Sequence, residues 1–308
     1  MKRENFNFID PFGQTIECLK WIGDNKPKAV VQIVHGMAEH AARYDDFATF
    51  LVKNNFIVFA NDHRGHGLTA GKYGNTGYFA DKNGWSIVTD NVFQLSEIIK
   101  KEYPCIPLFI FGHSMGSLIV RSFISVHPNA IDGIILSGTS YNPKFLLLFG
   151  KTVANIQRFF KGKKHRSKLL DTLSFGSFNK KFNPARTKFD WLSRDNKQVD
   201  LYINDQFCGF VCTTSLFSDM FNGILKIQKN YVIAKTPAEL PVYIISGEKD
   251  AVGNYTKGVK KVYELFIRNG AKDVEMKLYK ECRHEILNEI NKEEVYSDIV
   301  KWLNSKIF

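Results

Sequence analysis

Short apolar runs alternate with longer amphipathic stretches along most of this chain. Val30-Val31-Gln32-Ile33-Val34, Phe56-Ile57-Val58-Phe59-Ala60, Pro107-Leu108-Phe109-Ile110-Phe111, the run from Leu240 to Gly247 and Val274 to Tyr279 read as strands, rich in β-branched and aromatic residues. Between and after them, Tyr44 to Asn54, Gly84 to Tyr103, Met115 to His127, Tyr255 to Asn269 and Lys292 to Lys306 carry helical periodicity. Strand–helix alternation predicts an α/β fold: a mostly parallel central sheet covered by helices on both faces. Ahead of it, Asn7-Phe8-Ile9 and Thr15 to Trp21 alternate around the turn Asp10-Pro11-Phe12-Gly13, a hairpin signature. No internal repeat or low-complexity segment interrupts the pattern.

After Ser137-Gly138-Thr139 the alternation stops for about a hundred residues. The expected organisation is therefore a core in two parts, 1–140 and 236–308, with a helical cap inserted at 141–235. The cap opens on Phe145-Leu146-Leu147-Leu148-Phe149, followed by Val153, Ile156, Phe159 and Phe160 at helical spacing. Such faces either line a greasy tunnel or membrane-facing surface, or pack on the core. The run is too short to span a bilayer.

Charge is concentrated in the same region. From Lys151 to Lys197 there are thirteen Lys or Arg against Asp171, Asp190 and Asp195, a net +10 of the +11 carried by all 308 residues. A patch of that sign draws anionic substrates or an anionic membrane surface, or is a solvated face without a partner. Nucleic acid is not expected, since no stacking-aromatic module or helix-turn-helix pattern accompanies the charge. Five cysteines, an odd number, include Cys208 and Cys212, too few for a zinc site with no further ligands nearby in sequence. Free thiols and a polar stretch from Met1 to Gly13 place the expected location in the cytoplasm.

The chemistry centres on Gly112-His113-Ser114-Met115-Gly116, which follows one strand and opens a helix. A serine at such a corner is held in a tight turn that lifts its hydroxyl above the sheet edge, the nucleophile elbow. It needs a base and an orienting acid. The strand ending at Gly247 runs into Glu248-Lys249-Asp250, and the strand ending at Tyr279 leads to His284. Asp250 is preferred over Glu248, whose longer side chain starts nearer the strand end. The other seven histidines lie beside earlier strands, at a helix end or in the basic stretch, so His284 is the expected base. The order Ser114, Asp250, His284 is that of α/β-hydrolases. The oxyanion donors are expected to be the backbone amides of Met115, at a helix start, and of Met37, in the loop His35 to His40. Arg64, Asp62, Asp90, Gly65 and Gly67 read as scaffold, and Glu39 or His40 as residues able to orient the oxyanion loop.

Together these blocks resemble a monoacylglycerol lipase or lysophospholipase of the serine α/β-hydrolase family, also called serine aminopeptidase-like hydrolases. The matching residues are His35-Gly36-Met37-Ala38-Glu39-His40 with Arg43-Tyr44, Asn61 to Gly67, Gly112 to Gly116, Ser246 to Asp250, Arg283-His284-Glu285 and Leu287-Asn288-Glu289. Residues 141–235 match the family only in position and length class. The resemblance implies Ser114, Asp250 and His284 as the triad, Met37 and Met115 as oxyanion donors, and no metal or organic cofactor. It implies cleavage of carboxylic esters, expected to be those of medium or long acyl chains and to pass through an acyl-enzyme, the partner being a small acyl ester; peripheral contact with an anionic membrane surface is the expectation the basic, apolar cap raises. A small-ester carboxylesterase and an aminopeptidase-like hydrolase are the competing expectations. The latter needs a carboxylate for the substrate ammonium, and the cap is poor in acids.

Overall fold

The computed structural model describes residues 1–307. Eight strands form one sheet: β1 (Lys2–Ile9), β2 (Thr15–Ile22), β3 (Ala29–Val34), β4 (Phe56–Asn61), β5 (Leu108–His113), β6 (Gly133–Ser137), β7 (Val242–Gly247) and β8 (Val274–Tyr279). Their order is β1-β2-β4-β3-β5-β6-β7-β8. The hairpin pairs antiparallel and β2 joins β4 antiparallel, while β3 to β8 run parallel. β1 begins earlier than its apolar signal because its outer residues are polar and held by charge: Arg3 donates to Asp45 at 2.5 Å.

The helices are α1 (Asp45–Lys53), α2 (Gly67–Gly71), α3 (Gly84–Glu102), α4 (Met115–Val126), α5 (Lys144–Lys161), α6 (Lys168–Phe175), α7 (Asn196–Asn204), α8 (Thr214–Ile227), α9 (Asn230–Ile233), α10 (Lys257–Arg268) and α11 (Lys292–Ser305). Every residue of β3 to β7 is buried, as a sheet covered on both faces requires. One face packs Trp85 and Val88 of α3, Ile119 of α4 and Val262 of α10, and the other Phe47 of α1 and Trp302 of α11. Each such large side chain contributes about 1.5–3 kcal/mol on burial. Register places the carboxyl ends together: Val34 pairs with Gly112, His113 with Ser137 and Gly247 with Tyr279. The loops that follow therefore share one edge. β6, only five residues long, is the strand the periodicity did not separate from the break that follows it.

The inserted helical cap, α5 to α9, lies between β6 and β7. α5 meets α8 closely enough that a Cβ on Gly150 would fall 2.8 Å from the Phe221 ring. Leu147, Gly150 and Ala154 face inward, but Phe145, Phe149, Phe159 and Phe160 are exposed, Phe159 by 83 %. The apolar face of α5 is thus wider than the strip that packs. Among the described residues no helix is long and apolar enough to cross a membrane.

Candidate active site

Ser114 sits between β5 and α4 with φ 52° and ψ −120°, outside the regions an L-residue adopts freely. Two glycines make this turn possible. A Cβ on Gly116 would overlap the Val34 carbonyl oxygen, and one on Gly112 would fall 2.7 Å from a Val120 methyl. The Ser114 amide donates to the Ser137 carbonyl at 2.9 Å, tying the corner to β6. The Met115 amide begins α4, at the electropositive end of a helix.

His284, in the loop after β8, places Nδ1 3.0 Å from Asp250 Oδ1, and both residues are buried. Asp250 is itself held: Oδ1 accepts the Val252 amide at 2.8 Å and Oδ2 the Ser246 hydroxyl at 3.1 Å. Glu248 remains half-buried at the strand end. The fold thus brings Asp250, not Glu248, to the histidine. Burial disfavours a charged ring, but the charge and hydrogen bond of Asp250 outweigh it and hold His284 above its ordinary pKa. With Nδ1 on the carboxylate, Nε2 is the free nitrogen. The His113 ring lies 4.7 Å from that of His284, tilted by 44°, and burial together with that neighbour pushes its pKa down to about 3.

The loop after β3 brings Gly36 beside the serine; a Cβ there would lie 3.2 Å from the Ser114 Cβ. Glu39 accepts the Gly36 amide at 2.5 Å and the Tyr44 hydroxyl at 3.0 Å, fixing the loop from behind. Arg43 donates to Glu39 at 2.8 Å and grips Glu285 through two bonds of 2.8 Å. Burial raises the Glu39 pKa; at Glu285 burial acts the same way, but Arg43 prevails and holds that carboxyl at about 2. Glu285 follows His284, so one guanidinium joins the oxyanion loop to the histidine loop. The sequence displayed this only as Glu39 and Arg43 four apart. Glu285, 242 positions from Arg43, carried no signal of the pairing.

Met37, Ser114 and His284 line one cavity of about 210 Å³, walled by Phe175, Trp191 and Leu192 of the cap. Trp191 leans on His284 at 5.3 Å. The Glu285 amide donates to the Leu192 carbonyl at 2.7 Å, so the cap builds the site. Scaffold expectations hold for Asp62, which accepts the Ala41 and Leu68 amides at 2.8 and 2.7 Å, and for Arg64, which pairs with Asp10. His40 does not face the serine; it bonds Asp205 across the cap boundary at 2.7 Å. Met115 is buried and absent from the cavity wall, so of the two methionine side chains only Met37 lines it.

A strained serine and a buried Asp–His pair border one cavity, and these are the group types that acyl transfer by a serine uses. The family described as serine aminopeptidase, S33, matches residues 25–291. The chain belongs to that family. Monoglyceride lipase of Mus musculus is 26 % identical over 309 aligned positions, covering 98 % of this chain and 90 % of the relative. Monoacylglycerol lipase of Mycolicibacterium smegmatis is 26 % identical, covering 99 % and 98 %. A solved carboxyl esterase from Bacillus coagulans superposes with a TM-score of 0.93 at 29 % identity, covering all of both chains. The protein is an α/β-hydrolase of the carboxylic-ester hydrolase class.

Proposed function

We propose that this hydrolase cleaves esters of medium or long acyl chains, monoacylglycerols or lysophospholipids, through an acyl-enzyme on Ser114. In this reading His284 Nε2 takes the serine proton as Oγ attacks the carbonyl carbon. Asp250 steadies the imidazolium, and the Met37 and Met115 amides receive the oxyanion. The proton then passes to the departing alcohol, and water repeats the sequence to free the fatty acid. The observation carrying the substrate class is the cavity itself: beside Ser114 it is walled by Phe175, Phe189, Trp191, Leu192, Phe210 and Val211. The mouse and mycobacterial relatives bear monoacylglycerol lipase names, which supports the same class.

The small-ester reading draws on the Bacillus coagulans esterase. The aminopeptidase reading is disfavoured, because Glu39 and Glu285 of the cavity wall are held by Arg43, and Asp171 there feels Lys188. Hydrolysis of p-nitrophenyl and glycerol esters from acetyl to palmitoyl, with Ser114→Ala beside the wild type, separates these readings. Turnover rising to medium or long chains and lost in the variant is expected; turnover confined to acetyl and butyryl esters would overturn the substrate class.

The same reading assigns 141–235 as a cap that meets anionic lipid surfaces through the uncovered face of α5, next to Lys161. Five unpaired cysteines fit a reducing compartment, the cytoplasm.

A further inference from the structure

One cluster of donor groups takes no part in this chemistry. His40 lies at the end of the oxyanion loop, while Asp205 and Cys208 lie in the cap just after α7. Folding brings them together across 165 positions of sequence: His40 Nε2 is 2.7 Å from Asp205 Oδ2. One donor atom from each of the three residues lies within 4.8 Å of the other two. We propose that His40, Asp205 and Cys208 form a site for a borderline-soft divalent cation of the zinc class, which clamps the cap to the oxyanion loop.

Three observations support it. An imidazole, a carboxylate and a thiol are the donor set such a cation prefers over magnesium or calcium. Bond lengths of about 2.0–2.3 Å set donors on a tetrahedral ion roughly 3.3–3.7 Å apart, so shifts on the order of an ångström complete the geometry. The Asp205 side chain keeps 27 % of its exposure, leaving a route for the ion and for water as fourth ligand. Cys208 is a free thiol. Binding therefore forms one S–metal bond and releases one proton to solvent. Cys212 is buried elsewhere, beside the Gly77 backbone, and takes no part.

The position gives the ion a consequence. The Gly209 amide and the Tyr202 hydroxyl both donate to the Ala38 carbonyl at 3.0 Å, and Ala38 adjoins Met37. Ala38, Gly209 and Phe210 also line the cavity. An ion held by Cys208 and His40 tightens that seam and slows substrate passage. This second part rests on the ester-hydrolase reading; the binding itself does not.

The test is titration of the full-length, thiol-reduced protein with zinc against a chromophoric chelator, and with cobalt read by its thiolate charge-transfer band. Expected is one ion per chain, with affinity reduced by at least about tenfold in Cys208→Ser and in Asp205→Asn, as loss of a direct ligand requires, and unchanged in Cys105→Ser. The cobalt band should vanish only in Cys208→Ser. Zinc binding and a cobalt band unaltered in Cys208→Ser would overturn the site, as would no binding by wild type. Zinc should slow ester turnover in wild type and not in Cys208→Ser, whose basal rate is expected to be unchanged. Equal inhibition of both would place the inhibitory ion elsewhere, on the Asp250–His284 pair for example, and overturn the clamp. Binding as expected in a protein without Ser114-dependent turnover would instead refute the proposed function and leave the site standing.

Discussion

Replacing Arg43 by Met tests whether one buried guanidinium holds the two halves of the site. The arginine side chain is 10 % exposed, and the carboxylates of Glu39 and Glu285 are 5 % and 6 % exposed. Methionine fills much of the volume but leaves two carboxylates buried without a cation. Removing one member of such a cluster costs about 3–5 kcal/mol. For a chain of this size, that corresponds to a melting temperature lower by roughly 5–8 °C at neutral pH. The sign with pH follows from Glu285, whose folded pKa of about 2 lies below its ordinary 4.5. Its pairing stabilises the fold above the ordinary value and is lost as pH falls through the lower one. The deficit of Arg43→Met should therefore be largest at pH 7 and narrow towards pH 4, where the freed carboxylates protonate. The triple variant Glu39→Gln, Arg43→Met, Glu285→Gln removes every charge, while the carboxamide oxygen replacing the Glu39 carboxylate can still accept the Gly36 amide. It should recover most of the lost stability. Activity should separate the variants further: displacing the Gly36 loop by about an ångström lowers kcat on the order of a hundredfold in the single variant. Calorimetry across pH with parallel ester kinetics reads all of this. Equal destabilisation of the single and triple variants, or a single-variant loss that is flat with pH, would refute the argument from unpaired charge.

Asp250→Asn should lower kcat by about 10⁴-fold, the loss expected when the histidine takes the wrong tautomer. In wild type, kcat/KM should fall as pH drops through a value above 6.5, since Asp250 raises His284; a rate flat to pH 5 would remove His284 as the base. Asp219 of α8 lies against Gly84 at the start of α3, and burial raises its pKa to about 6. A raised carboxyl stabilises the fold at low pH and loses that contribution as pH rises through about 6, so Asp219→Asn should melt higher than wild type at pH 8 and level with it near pH 4, by calorimetry. Phe159→Ser with Phe160→Ser should abolish co-sedimentation with anionic vesicles while leaving hydrolysis of a short soluble ester unchanged. Undiminished vesicle binding would show that the face of α5 is not the contact.

The elements whose signal is local were legible in the sequence, and those made by pairing were not. α3 and α11 end within a residue of their periodic stretches, because apolar spacing and end residues lie in one short window. The elbow was legible for the same reason: Gly112, Ser114 and Gly116 are needed within five residues by a single turn. Asp250 and His284 followed from a strand end each. Arg43 with Glu285, His40 with Asp205 and Trp191 over His284 are products of topology, and a chain with 42 Lys or Arg and 31 Asp or Glu offers too many alternative pairings to single them out. The basic stretch shows the same limit. Lys163 pairs with Asp81 at 3.1 Å, Arg186 with Asp200 at 2.6 Å and Arg194 with Glu289 at 2.8 Å, all acids outside the stretch, so the uncompensated charge is smaller than the count suggests.

The cap divides into two parts with different physical ties. Residues 190–209 are bonded to the core beside the serine: the Trp191 and Leu192 carbonyls accept the His284 and Glu285 amides, Arg283 donates to the Asp190 and Ser193 carbonyls, and Gly209 donates to Ala38. Opening this part would break the histidine loop it supports. α5 and α6 are held mainly by apolar contact, α5 on α8, and leave Phe145, Phe149, Phe159, Leu169 and Leu173 exposed. Apolar contact has no fixed geometry to lose, and an exposed apolar face gains by meeting lipid. The cavity wall formed by Asp171, Thr172 and Phe175 of α6 therefore has fewer bonds to the core than the wall formed by Trp191 and Leu192.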